Sequence, residues 1–176
     1  TYERARRLAN IAMWTISLQR RRLRSREPED GEFPFRKWAD FQFLIVGLTR
    51  LRRAASLAAK VQEIQENISN AIGTFDRALP NLKAMRDTAE HIDDYAVDAG
   101  RNSAIGRTAL EVAVIGDENI EWLGMSLDLG ETVAAAEALF EAVKSNVPSR
   151  DPCPSHLPHL PDSPPPANSN SRRDRR

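Results

Sequence analysis

Along most of this chain apolar residues recur at steps of three and four, the spacing that lines one face of a helix. Over residues 2 to 24, Leu8, Ile11, Thr15 and Leu18 form such a stripe, which Ala12 and Ile16 widen. Glu27 to Pro34 holds two prolines and a glycine, so this segment predicts a connecting loop. Residues 35 to 60 carry one long seam, Phe41, Leu44, Leu48, Leu51, Ala55 and Ala58. A third helix is predicted over 62 to 78 from Ile64, Ile68, Ala71, Ile72 and Phe75. Pro80 suits the first position of a fourth helix, whose stripe is Leu82, Met85, Ala89, Ile92 and Ala96. Its end is expected near Gly100, where glycine can turn left-handed.

The period then changes. Between residues 108 and 127, Leu110, Val112 and Val114 alternate, Gly116-Asp117-Glu118-Asn119 supplies turn chemistry, and Ile120-Glu121-Trp122-Leu123-Gly124-Met125 follows, which predicts a β-hairpin. A last helix is opened by Asp128 and Glu131, a variant of the capping box, and carries Leu129, Val133, Ala136, Phe140 and Val143 on one face. From Asn146 onward the chain holds eight of its eleven prolines and no apolar period, so this tail is expected to be disordered. The fold class is therefore mainly α: a helical bundle over residues 1 to 145 with a small β-hairpin before the last helix, followed by a proline-rich tail over 146 to 176.

Composition narrows the setting. The longest apolar runs, residues 43 to 48 and 112 to 115, fall far short of the roughly 20 residues needed to span a membrane, so none is expected. A single cysteine, Cys153, allows no internal disulfide, and no signal-peptide pattern is visible; both point to the cytoplasm, with a leader trimmed ahead of Thr1 left open. Overall neutrality hides an asymmetry. Residues 1 to 60 hold 14 Lys/Arg against 6 Asp/Glu, and residues 61 to 145 hold 6 against 16. Basic helices could neutralise acidic ones within the bundle or across a dimer. The sharper reading is a nucleic-acid surface centred on Arg20, Arg21, Arg22, Arg24 and Arg26.

The candidate chemistry lies in Met85-Arg86-Asp87-Thr88-Ala89-Glu90-His91, which carries the only histidine outside the tail. An imidazole moves protons near neutral pH, and a guanidinium holds a phosphate through paired hydrogen bonds. Arg86, polar Asp87 and His91 resemble the Arg-x4-His signature of HEPN-domain proteins, many of which are metal-independent ribonucleases. The resemblance covers roughly residues 36 to 100. It implies a HEPN-like bundle and an RNA endonuclease that leaves a 2′,3′-cyclic phosphate, with Arg86, His91 and Asp87 as the catalytic set. It also implies a homodimer in which two Arg-x4-His elements line one cleft. The family often places asparagine after the arginine; Asp87 here would favour protonated His91 while repelling a phosphate.

On an ideal helix Arg86 and His91 stand about 140° apart, so uniting them requires the reach of Arg86, a local distortion or a facing subunit. A purely structural use of the same residues is an Arg86–Glu90 surface pair, with Asp87 holding His91 beside Tyr95. The alternative function is a non-catalytic module for dimerisation or partner binding, in which Trp122 is either a contact residue on the hairpin or part of the core. No cofactor or metal is implied: Asp87, His91 and Asp94 lack the Glu-x-x-His elements of a bundle metal centre, and Cys153, His156 and His159 in the tail lack a second cluster.

Overall fold

The computed structural model describes residues 1–31, 35–111, 114–116 and 118–148. Val112, Asp117 and the tail from residue 149, with its cysteine and two histidines, lie outside them.

Two long helices, α1 (Tyr2–Arg24) and α2 (Phe35–Ala58), form the central hairpin. The seam on α2 is buried as its spacing predicts, including Phe41, Leu44, Leu48, Leu51, Ala55 and Ala58. On α1 the buried line is instead Ala5, Ala9, Ala12, Ile16, Gln19 and Leu23. The expected stripe is displaced: Leu8, Ile11 and Leu18 are exposed, Ile11 by 59%, and Trp14 by 73%. Small side chains won this face because the helices pack closely. A Cβ on Gly47 of α2 would meet Ile16 Cγ1 at 3.1 Å and Thr15 Cγ2 at 3.3 Å.

Ion pairs fasten the loop end of this hairpin. A short 3-10 turn, Pro28–Gly31, carries Asp30, which accepts from Arg36 Nε at 3.0 Å and pairs again with Arg36 Nη2. Arg36 also donates to the carbonyl of Arg22 at 2.7 Å, the carbonyl of Ser25 at 3.0 Å and Asp40 Oδ2 at 3.0 Å. Buried Asp40 takes a second bond, from Arg22 Nε at 2.7 Å. The C-terminal carbonyls of α1 and the first turn of α2 are thus held by one guanidinium, which has the fork of donors such a junction needs.

A second 3-10 turn, Gln62–Ile64, leads into α3 (Gln65–Ala78), which packs with α6 (Leu129–Ser145). α6 also covers α1 and α2. Its start is capped as expected: Asp128 Oδ1 accepts from the backbone N–H of Glu131 at 2.7 Å. The Tyr2 hydroxyl donates to the carbonyl of Val143 at 3.0 Å and so joins the first helix to the last.

The predicted hairpin is present and gains a strand. β1 (Val114–Ile115), β2 (Asn119–Trp122) and β3 (Met125–Asp128) form an antiparallel meander in that order. Ile120 pairs with Leu127, and Trp122 with Met125, across a two-residue turn at Leu123 and Gly124. Both turn residues have positive φ, 57° and 69°, as a tight hairpin following the strand twist requires. A leucine there is uncommon; the burial of its side chain offsets the backbone cost. Trp122 belongs to the core, not to a contact surface. It is fully buried, lies edge-on to Trp38 and Phe41, and donates from Nε1 to the carbonyl of Leu110 at 3.1 Å. Among the described residues no helix is long and apolar enough to cross a membrane.

Two outcomes test this account. Gly47→Leu should destabilise the fold by about 1–3 kcal/mol in thermal unfolding, because a branched side chain has to force α1 away. The Arg36 hydrogen bonds hold the Asp30 carboxyl well below the usual carboxylate range, to about 2. A carboxyl whose folded pKa is depressed stabilises the fold above its unfolded value, near 4, and loses that contribution as pH falls towards 2. Asp30→Asn should therefore lower the Tm by a constant amount above about pH 5, with the difference from wild type closing between about pH 4 and 2.

Candidate functional site

α4 (Leu82–Glu90) packs on α2 through buried Leu82, Met85 and Thr88, which turns Lys83, Arg86, Asp87 and Glu90 away from the core. The single long helix expected over residues 80 to 100 is broken. His91 leaves helical geometry at φ −126° and ψ 36°, and α5 (Ile92–Ala96) resumes for five residues. Ile92 and Ala96, expected on the buried stripe, are exposed, and Tyr95 is buried in their place. Gly100 does not end a helix; the left-handed residue after α5 is Asp98, at φ 56°.

Gly100 has a different use. A Cβ there would sit 2.2 Å from Tyr95 Cδ1, so the ring packs in the space a side chain would fill. The Tyr95 hydroxyl accepts from the backbone N–H of Asn102 at 3.2 Å, and Asp98 Oδ1 accepts from that of Arg107 at 3.2 Å. These bonds fold residues 97–107 back beside α4. The space between is an open cleft of about 620 Å³, lined by Pro80, Lys83, Arg86, Asp87, Glu90, His91, Asp94, Tyr95, Arg101 and Ile105, among others.

Arg86, His91 and Asp87 therefore all line one cleft. The break at His91 supplies the distortion that an unbroken helix lacks. Their pairing differs from the expected one. Arg86, only 21% exposed, reaches Asp87 Oδ1 at 2.6 Å and Glu90 Oε2 at 3.1 Å, so the surface pair with Glu90 is present. Asp87 is thereby turned to Arg86 and not to His91. The acid beside the half-exposed imidazole is Asp94, whose Oδ2 lies 3.9 Å from Nδ1, too far for a hydrogen bond. The lining carries Lys83, Arg86 and Arg101 against Asp87, Glu90 and Asp94.

The basic cluster at the end of α1 is not brought to this cleft. Arg22 is bonded to Asp40, Arg24 to Glu118 Oε2 at 2.7 Å, and Arg21 lines a separate hollow with Trp14 and Phe140. Arg20 is half-buried, with Nε unbonded. Sequence reasoning missed Lys83, Arg101 and the Tyr95–Gly100 contact. Of these, the glycine five residues after an aromatic was the one visible signal. Among the described residues no group of three or more His, Cys, Asp or Glu could hold a metal ion. Comparison with protein-family models, curated proteins and solved structures finds no match for the chain.

Gly100→Ala should expel the Tyr95 ring. The expected result is a loss of about 1–3 kcal/mol together with a changed near-ultraviolet tyrosine signal at constant helix content. An unchanged signal would mean that the ring does not rest on Gly100.

Proposed function

We propose that the protein is a HEPN-like, metal-independent RNA endonuclease that acts as a homodimer. The observation that carries this reading is the helix break at His91, which lets an imidazole and a guanidinium five residues apart open onto one cleft. In this reading the 2′-hydroxyl oxygen attacks phosphorus, the bond to O5′ breaks, and the products end in a 2′,3′-cyclic phosphate and a 5′-hydroxyl. One proton leaves the nucleophile and another goes to the departing oxygen. His91 of each chain would take one of these tasks.

Arg86 stabilises the charge that builds on the phosphate oxygens. One of its five N–H donors is hydrogen-bonded to Glu90 and its Nη2 is ion-paired with Asp87; in this reading the remaining donors bind the phosphate. A second copy would approach over α5, where Ile92 and Val97 stand exposed next to His91.

The second reading, a non-catalytic docking module, is favoured by the exposed apolar row Leu8, Ile11, Trp14 and Leu18 on α1, none of which lines the cleft. One set of assays separates the two. Under the first reading, purified protein cleaves single-stranded RNA in the presence of EDTA to cyclic-phosphate ends, and His91→Ala and Arg86→Ala each abolish cleavage. Both variants should stay folded within about 1 kcal/mol, because partly exposed ion pairs contribute little. Inert wild-type protein whose self-association or partner binding is lost in Ile11→Glu would support the docking module instead.

A further inference from the structure

The cleft has a neighbour on the other side of Arg86. Between α2 and α4 runs a groove of about 490 Å³ lined by Thr49, Arg52, Arg53, Asp76, Lys83 and Arg86, together with two leucines and a proline. The two hollows share Pro80, Lys83 and Arg86, so they adjoin one another beside α4.

Their charge differs. In the cleft three cations face three carboxylates, a poor setting for a polyanion on its own. In the groove the single carboxylate, Asp76, is consumed by a two-pronged pair with Arg52, at 2.6 and 2.7 Å. Arg53 and Lys83 are exposed, and neither has an ion-pair partner among the described residues. The first turn of α4 borders the same space, and Asn81 provides no side-chain cap for its N–H groups. The positive end of that helix adds to the two free cations.

We propose that this groove binds the phosphodiester backbone of single-stranded RNA, with Arg53 and Lys83 as the phosphate contacts, and delivers the strand past Arg86 to His91. The inference deepens the ribonuclease reading and rests on it for the identity of the ligand. It moves the RNA contact from the expected Arg20–Arg24 surface to a groove adjacent to the candidate chemistry, where Arg53 and Lys83 have no ion-pair partner among the described residues. It also explains how an acid-balanced cleft receives an anionic chain: the binding energy is collected next door.

The test is fluorescence anisotropy of a labelled 2′-O-methyl oligouridylate, which lacks the attacking hydroxyl, with the full chain across a salt series, beside a cleavage assay on unmodified RNA in EDTA. Arg53→Gln and Lys83→Gln should each reduce the slope of log affinity against log salt by about 1, and the double variant should bind about tenfold or more weakly near 0.1 M salt. Arg21→Gln, on the far hollow, should bind as wild type does. The proposal is overturned if the double variant keeps wild-type affinity and slope, or if wild-type protein does not bind at low salt. Binding that depends on Arg53 and Lys83 without any cleavage upholds the groove and sinks the nuclease. Cleavage with affinity indifferent to both residues does the reverse.

Discussion

The close approach of α1 to α2 is the constraint from which the remaining architecture follows. Ala5, Ala9 and Ala12 on one helix and Gly47 on the other remove the side-chain volume that normally separates helix axes. Two consequences come with it. The larger apolar residues of α1 are turned outward, and the helix ends are brought near enough for Arg36 to bind carbonyls of α1 while reaching Asp40 on its own helix. With α1 seated on one side of α2, the opposite side is left for α4, and there the charged outer face of α4 builds both hollows.

Much of this could be read from residue spacing, and the failures share one cause. The α2 seam and the Asp128 cap follow local rules, and both stand in the fold as spacing and cap chemistry dictate. On α1 the rule that larger apolar residues go inside chose the wrong face by about a quarter turn, because close packing rewards small residues over large ones. The meander shows the same limit. Leu123-Gly124 is a weaker turn signal than Asn-Gly, and its left-handed leucine is tolerated only because tertiary burial holds it.

The candidate site was half legible. Arg86 and His91 stand out by residue type, but whether they share a face depends on a helix break that no proline or glycine announces. Beyond the break the Tyr95 ring rests against Gly100 and its hydroxyl accepts from the Asn102 N–H, contacts set by the fold and not by helical spacing. Arg101 escaped notice because its place in the cleft is set by this fold-back and not by any interval from His91, whereas Lys83 stands on α4 itself, three residues before Arg86. Local acids also rearranged the expected partnerships. Asp87 is nearer in sequence to Arg86 than to His91, and the longer, more flexible guanidinium takes it.

The bond from the Tyr2 phenol to the Val143 carbonyl spans 141 positions of the chain. Contacts between α1 and α2 are local by comparison, and such contacts form early and fast. During synthesis on the ribosome the hairpin can therefore assemble once its 58 residues have emerged, with the α6-facing side of α1 still uncovered. The last helix then acts as a latch, and until it leaves the exit tunnel the nascent chain carries an open apolar flank that a chaperone could grip.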